Sequence, residues 1–168
     1  MKKVIIILFV ITVISMFTKQ NSNQVLIPDY AIRFRIIANS NSLSDQQEKL
    51  TIKKEIEPVL ASITQDTNSL DSARYAINSN IDYLSDIVKK HTPDFNINYG
   101  KNYFPEKTYK GVTYEEGNYE SLVITLGDGL GDNWWCVLFP PLCLLEASSD
   151  SLDDVTYSFY IKDIIDKF

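Results

Sequence analysis

Two periodicities run along the chain, one of two residues and one near 3.6. Ile32-Arg33-Phe34-Arg35-Ile36-Ile37 alternates apolar and basic side chains before turning wholly apolar, as expected of a strand with one face on a core. Asn39-Ser40-Asn41-Ser42 is turn-like. Ser44 stands three residues before Gln47, the spacing of a capping box. A helix is therefore predicted from Asp45, carrying Leu50, Ile56, Leu60 and Ile63. Pro58 falls inside it. An interior proline removes a hydrogen bond and costs about 3 kcal/mol, so a kink or break is expected there. Ala73, Ile77, Ile81, Leu84 and Val88 recur at helical spacing, giving the clearest amphipathic helix of the chain. It should stop near His91, because Pro93 follows. Phe95, Ile97 and Tyr99 alternate with Asn96 and Asn98 as a second strand. Tyr119 to Leu126 reads as a third, entered after Gly117-Asn118, and Trp134 to Phe139 as a fourth, stopped by Pro140 and Pro141. Ala147 to Asp154 reads as a polar loop, Val155 to Ile161 as a last strand, and a short helix closes the chain at Phe168. This order predicts an α+β fold: two helices packed on one face of a mostly antiparallel sheet, preceded by an N-terminal hydrophobic segment.

That segment begins with Lys2-Lys3 and continues as an apolar run from Val4 to Phe17. A basic start and a run of about 14 apolar residues match the first two regions of a secretory signal. A full membrane span needs about 20. No small-residue cleavage site follows, since Met16, Phe17, Lys19 and Gln20 occupy those places. Two readings stand, a cleaved signal peptide and an uncleaved membrane anchor, and both put the body outside the cytoplasm. The chain divides into this segment (1–19), a polar linker (20–29) and one domain (30–168).

Charge then narrows the partners. The chain has 16 Lys and Arg against 22 Asp and Glu. Three of the lysines, Lys2, Lys3 and Lys19, sit in the N-terminal segment. The body is therefore strongly acidic, which argues against nucleic acid, whose binding is built on phosphate neutralisation.

Known chemistry is sparse. The single histidine, His91, lies at a helix end beside Pro93. Cys136 and Cys143 match no common zinc spacing and no C-x-x-C redox motif. Gly127-Asp128-Gly129-Leu130-Gly131 lacks the Lys-Ser/Thr of a phosphate loop and reads as a flexible turn. No catalytic residue, metal site or cofactor is assigned. In an exported chain Cys136 and Cys143 are expected to pair, with two buried free thiols as the alternative. The loop-entropy account gives such a link roughly 2.5 kcal/mol. Trp134, Trp135, Phe139, Pro140 and Pro141 crowd the same stretch. They read either as core or as a rigid partner-contact knob, the composition of a binding hot spot.

Asn133-Trp134-Trp135-Cys136 through Phe139-Pro140-Pro141-Leu142-Cys143 resembles the signature of the stage II sporulation protein R family. Arg33 to Ser42, with Asp45, Gln46, Lys49 and Lys53, is similar to the family's opening segment. Tyr103-Phe104-Pro105 with Lys107-Thr108-Tyr109, and Gly117 to Leu122, resemble two further segments. The likeness runs from Tyr30 to the C-terminus. Pro58, Tyr114-Glu115-Glu116, Asp132 and a short loop after Cys143 depart from the family pattern. The resemblance implies an exported intercellular signal of endospore formation, released from the forespore into the space between two membranes. It implies a partner, a membrane-embedded aspartic protease of the mother cell that processes the sigma-E precursor, and an activator rather than an enzyme. The alternatives are an exported hydrolase with an unfamiliar carboxylate site, which a clustering of Asp128, Asp132 and Glu146 in one cleft would favour, and a structural envelope module.

Overall fold

The structure, a computed structural model, describes residues 25–26, 28, 30–109, 112–143 and 164–165. The predicted N-terminal segment, the Ala147–Asp154 loop and the predicted strand at Val155–Ile161 lie outside these residues. Ten elements follow in order: β1 (Val25–Leu26), β2 (Ile32–Ile37), α1 (Leu43–Thr64), α2 (Leu70–Ser79), α3 (Ile81–Lys89), β3 (Phe95–Phe104), β4 (Lys107–Tyr109), β5 (Val112–Tyr114), β6 (Gly117–Leu126) and β7 (Asn133–Phe139). The fold class is α+β. A four-stranded mixed sheet has the order β3-β6-β2-β7, and a small sheet has the order β1-β5-β4. β2 runs parallel to β6 and antiparallel to β7, while β3 and β6 pair antiparallel over ten positions.

Among the described residues three helices cover the sheet, where two were expected. The run from Ala73 to Val88 is divided at Asn80, whose backbone leaves the helical region (φ −113°, ψ 5°). The Asn80 carboxamide donates to the Ala76 carbonyl at 2.8 Å. Its own carbonyl accepts from Leu84 N at 3.0 Å. A short polar side chain that competes for backbone groups in this way ends one helix and starts the next. Ala73, Ile77, Leu84, Ile87 and Val88 still share one buried side. The small sheet, with its β4–β5 hairpin, was not foreseen either.

α1 starts two residues earlier than predicted. Ser42, not Ser44, is the cap, and its Oγ accepts from Asp45 N at 3.1 Å. The helix runs unbroken through Pro58. Pro58 is exposed, and so is Lys54, whose carbonyl loses its helical donor, so water can take the place of that bond. The buried face is Lys49, Ile52, Ile56, Leu60 and Thr64. Leu50, predicted for the core, is 46% exposed. One residue past Lys49 and two before Ile52, it falls off the buried face.

Alternation along β2 gives the sheet two different faces. Phe34 and Ile36 point to the helices and join Leu122, Ile124, Leu126, Cys136 and Leu138 in the main core with Ile52, Ile56, Leu60, Ile77 and Leu84. Arg33 and Arg35 point the other way. A register shift between Ile32 and Arg33 sets Ile32 opposite Phe139 and Arg33 opposite Val137. β7 thus carries one extra residue there, a β-bulge. Leu138 and Phe139 consequently both reach the helix-side core, while Val137 enters a second core with Ala31, Tyr114 and Leu142.

Arg74 of α2 ties the helices to the sheet. Its Nε donates to both Glu120 oxygens at 2.9 and 3.1 Å, and Nη2 to Oε2 at 2.8 Å. Tyr99 Oη donates to the same carboxylate at 2.6 Å. The Arg74 hydrogen bonds, then that of Tyr99, hold the Glu120 carboxyl below its ordinary value of 4.5, against the opposing effect of burial. A carboxyl depressed in the folded state contributes stability that is fully present above its unfolded value and lost as pH falls through the folded one. Melting temperature should therefore fall below about pH 4.5. Glu120→Gln should lower it more at pH 7 than at pH 3. An equal loss at both pH values would show that the ion pair contributes nothing.

Candidate functional site

Two structures at opposite ends of β7 carry the residues singled out by the sequence. The first is the end of β7. Cys136 and Cys143 are joined by a disulfide with a Cα–Cα distance of 5.3 Å. Between them the chain turns through a cis Phe139–Pro140 bond, and Leu142 N donates to Val137 O at 3.1 Å and Pro140 O at 2.8 Å. Trp134 and Trp135 are sequence neighbours on a strand and so face opposite ways. Trp134 meets Phe34 edge-on at 5.8 Å, under Lys53 Nζ at 4.4 Å. Trp135 meets Tyr114 at 4.5 Å and Phe104 at 6.0 Å. Phe104, Tyr114, Tyr119 and Trp135 together wall the guanidinium of Arg33, whose Cζ lies 3.3 Å from the Tyr119 ring centroid.

This placement corrects part of the knob reading. Phe139 is 3% exposed, and Pro140 is buried too. The bulge turns Phe139 inward, so neither offers a surface to a partner. Trp134, Trp135 and Pro141 are half-buried, and each tryptophan spends its ring on one of the two cores.

The second structure is a tip where two loops interlock. The turn at Asn39–Ser42 ends β2, and the loop at Gly127–Asp132 joins β6 to β7. Leu130 N donates to Asn39 O and Gly131 N to Ala38 O, both at 2.9 Å. Asn39 Oδ1 accepts from Asp128 N at 3.0 Å, and Asn41 Oδ1 accepts from Asp132 N at 2.6 Å. Gln46 Nε2 donates to Ser40 O and Asn41 Oδ1. Buried Lys49 donates to Gln46 Oε1 at 2.6 Å and to the Asp132 carbonyl at 2.8 Å. Burial pushes the Lys49 ammonium down, and the Asp132 charge opposes that. Ser40 Oγ and Asn39 Nδ2 both donate to Asp45 Oδ2. The Ser40 bond is the main cause of an Asp45 carboxyl held below the usual range.

Sequence reasoning missed this constellation. Asn-Ser-Asn-Ser and the Gly-Asp run were each visible as turns. Their union across about 90 residues was not, because it depends on β2 lying between β6 and β7. The glycine loop read as a flexible turn is tethered along its length. Gly127 and Gly129 take left-handed φ values of 52° and 64°.

The chemistry available here is that of shape and charge. Among the described residues no group of three His, Cys, Asp or Glu side chains could hold a metal. His91 Nε2 lies 3.0 Å from Glu55 Oε1, joining the turn after α3 to α1 at the surface. Asp128 and Asp132 stand exposed on the tip rather than in a cleft, and Glu146 lies outside the described residues. No described helix is long and apolar enough to cross a membrane.

Comparison with known proteins adds a family. The family model for stage II sporulation protein R matches residues 28–149. The stage II sporulation protein R of Bacillus subtilis (strain 168) is 40% identical over 137 residues, covering 78% of this chain and 61% of that protein. The chain thus spans about three fifths of the length of this curated relative. No solved structure matches the chain.

The interlock makes a steric prediction. A Cβ on Gly131 would collide with the Ser40 carbonyl, which is backbone and cannot swing away, whereas one on Gly100 would meet only Asn98 Oδ1 at 3.8 Å. Gly131→Ala should therefore cost about 1–3 kcal/mol in denaturant unfolding, the usual cost of overpacking. Gly100→Ala should change stability by less than about 0.5 kcal/mol, as surface substitutions do. Equal effects would mean that the loops are not locked together.

Proposed function

The chain belongs to the stage II sporulation protein R family, and on that premise we propose that it is an exported signal of endospore formation. The Lys2–Phe17 segment carries the body out of the forespore into the space between the two membranes, as a cleaved signal or as an anchor. There the body binds a membrane-embedded aspartic protease of the mother cell and switches it on, and the protease processes the sigma-E precursor. The protein is a ligand and performs no chemistry itself. Family membership is the observation that carries this reading. A disulfide-bonded, acidic body with tethered loops is consistent with it, since a preformed surface loses little entropy on binding. In this reading Trp134 and Trp135 hold the shape that is presented.

Co-expression of the chain with the protease and its precursor, in cells lacking other sporulation proteins, tests the proposal. Shortening of the precursor should depend on the chain and should fail when residues 1–19 are deleted. Precursor that stays intact with the full chain would refute activation, and normal processing without residues 1–19 would refute export. Trp134→Ala and Trp135→Ala should each cost about 3 kcal/mol. They should reduce processing only in proportion to the folded protein lost. Lost processing at full stability would instead make that tryptophan a contact residue.

A further inference from the structure

We propose that the interlocked tip is the docking point of this protein, a leucine pair that enters an apolar groove with a basic rim on a protein partner. Leu43 is 92% and Leu130 79% exposed, more than any other large hydrophobic side chain among the described residues. Both rise from the same tethered structure. Leu130 sits between Gly129 and Gly131, its own N–H bonded to Asn39 O. Leu43 is the first residue of α1, directly after the cap Ser42. The Asn39–Ser42 turn joins them, bonded to the glycine loop at Asp128, Leu130, Gly131 and Asp132. Their relative position is therefore fixed before any partner arrives. Exposed apolar side chains on a preorganised support are the composition of a binding site, because burying them is favourable and little ordering cost opposes it.

Charge selects the partner. Asp128 and Asp132 are exposed on the same loop. Asp45 holds the facing turn through Asn39 and Ser40, and Lys49, the cation bonded to the tip, is buried and turned inward. The leucines thus stand in an acidic rim. An anionic bilayer would repel that rim, whereas a groove edged with Lys or Arg would be steered onto it.

The proposal deepens the signalling reading and rests on it for the identity of the partner. Its test uses the full chain, titrated onto the detergent-solubilised protease and assayed by co-expression. Neither leucine packs in a core, so Leu43→Ser/Leu130→Ser should melt within about 2 °C of the unchanged chain. It should bind and activate at least tenfold more weakly. Leu43→Met/Leu130→Met should keep binding, and Asp128→Asn/Asp132→Asn should weaken it and flatten its salt dependence. A serine variant that binds like the unchanged chain would overturn the proposal. So would co-sedimentation of the unchanged chain, but not the serine variant, with vesicles of neutral and anionic phospholipid. If the unchanged chain binds the protease yet leaves it inactive, the signalling reading falls, and the titration still decides the tip.

Discussion

Burying the guanidinium of Arg33 dictates what the far face of the sheet can be. The side chain is 0% exposed, on the central strand β2, opposite the helix layer. A charge withdrawn from water this far costs several kcal/mol unless its surroundings compensate. Four rings supply part of that compensation, and they come from four strands: Phe104 from β3, Tyr114 from β5, Tyr119 from β6 and Trp135 from β7. The β4–β5 excursion between the long strands β3 and β6 is what brings Tyr114 to this place. Arg35, one pleat further on, lies 4.6 Å from the Phe104 ring centroid, and burial lowers its pKa. The second face is thus cationic and aromatic, where the first is mainly aliphatic.

These two faces explain the crowding of unusual residues in β7. The strand lies beside β2 and must serve both cores at once. Trp134 closes the aliphatic side, Trp135 the aromatic side, and the bulge lets Leu138 and Phe139 both turn toward the helices. The disulfide then fixes the strand end where Pro140 and Pro141 stop the pairing. At its other end β7 begins directly from the tip, so the locked loops and the two cores are parts of one assembly.

Much of this was legible in the sequence. The apolar-basic alternation gives β2 to the residue and the Gly-Asn and Pro-Pro boundaries give β6 and β7 to within two, while β3 is legible only as far as Tyr99 and runs on to Phe104. Helical spacing placed the buried side of α2 and α3 but not their division, since Asn80 acts through a local side-chain bond that periodicity does not register. Pro58 was weighed as an interior breaker, while its exposed position makes the missing bond tolerable. The short strands β4 and β5 carry too few residues for any period. Phe139 reads equally as core or as knob in the sequence, because the one-residue bulge that turns it to the helix side leaves no mark there. The tip escaped because its bonds join residues about 90 positions apart.

If the far face is organised by Arg33, the guanidinium and the ring nearest to it must be energetically coupled. The direct measurement is a double-mutant cycle of Arg33→Met and Tyr119→Leu by denaturant unfolding. A desolvated cation–π contact is worth about 2 kcal/mol, and contacting residues couple by roughly 0.5–3 kcal/mol. The account predicts a coupling of at least about 1 kcal/mol, with each single variant strongly destabilised. Additive losses would contradict it, and would mean that Arg33 is merely accommodated by a face assembled for other reasons.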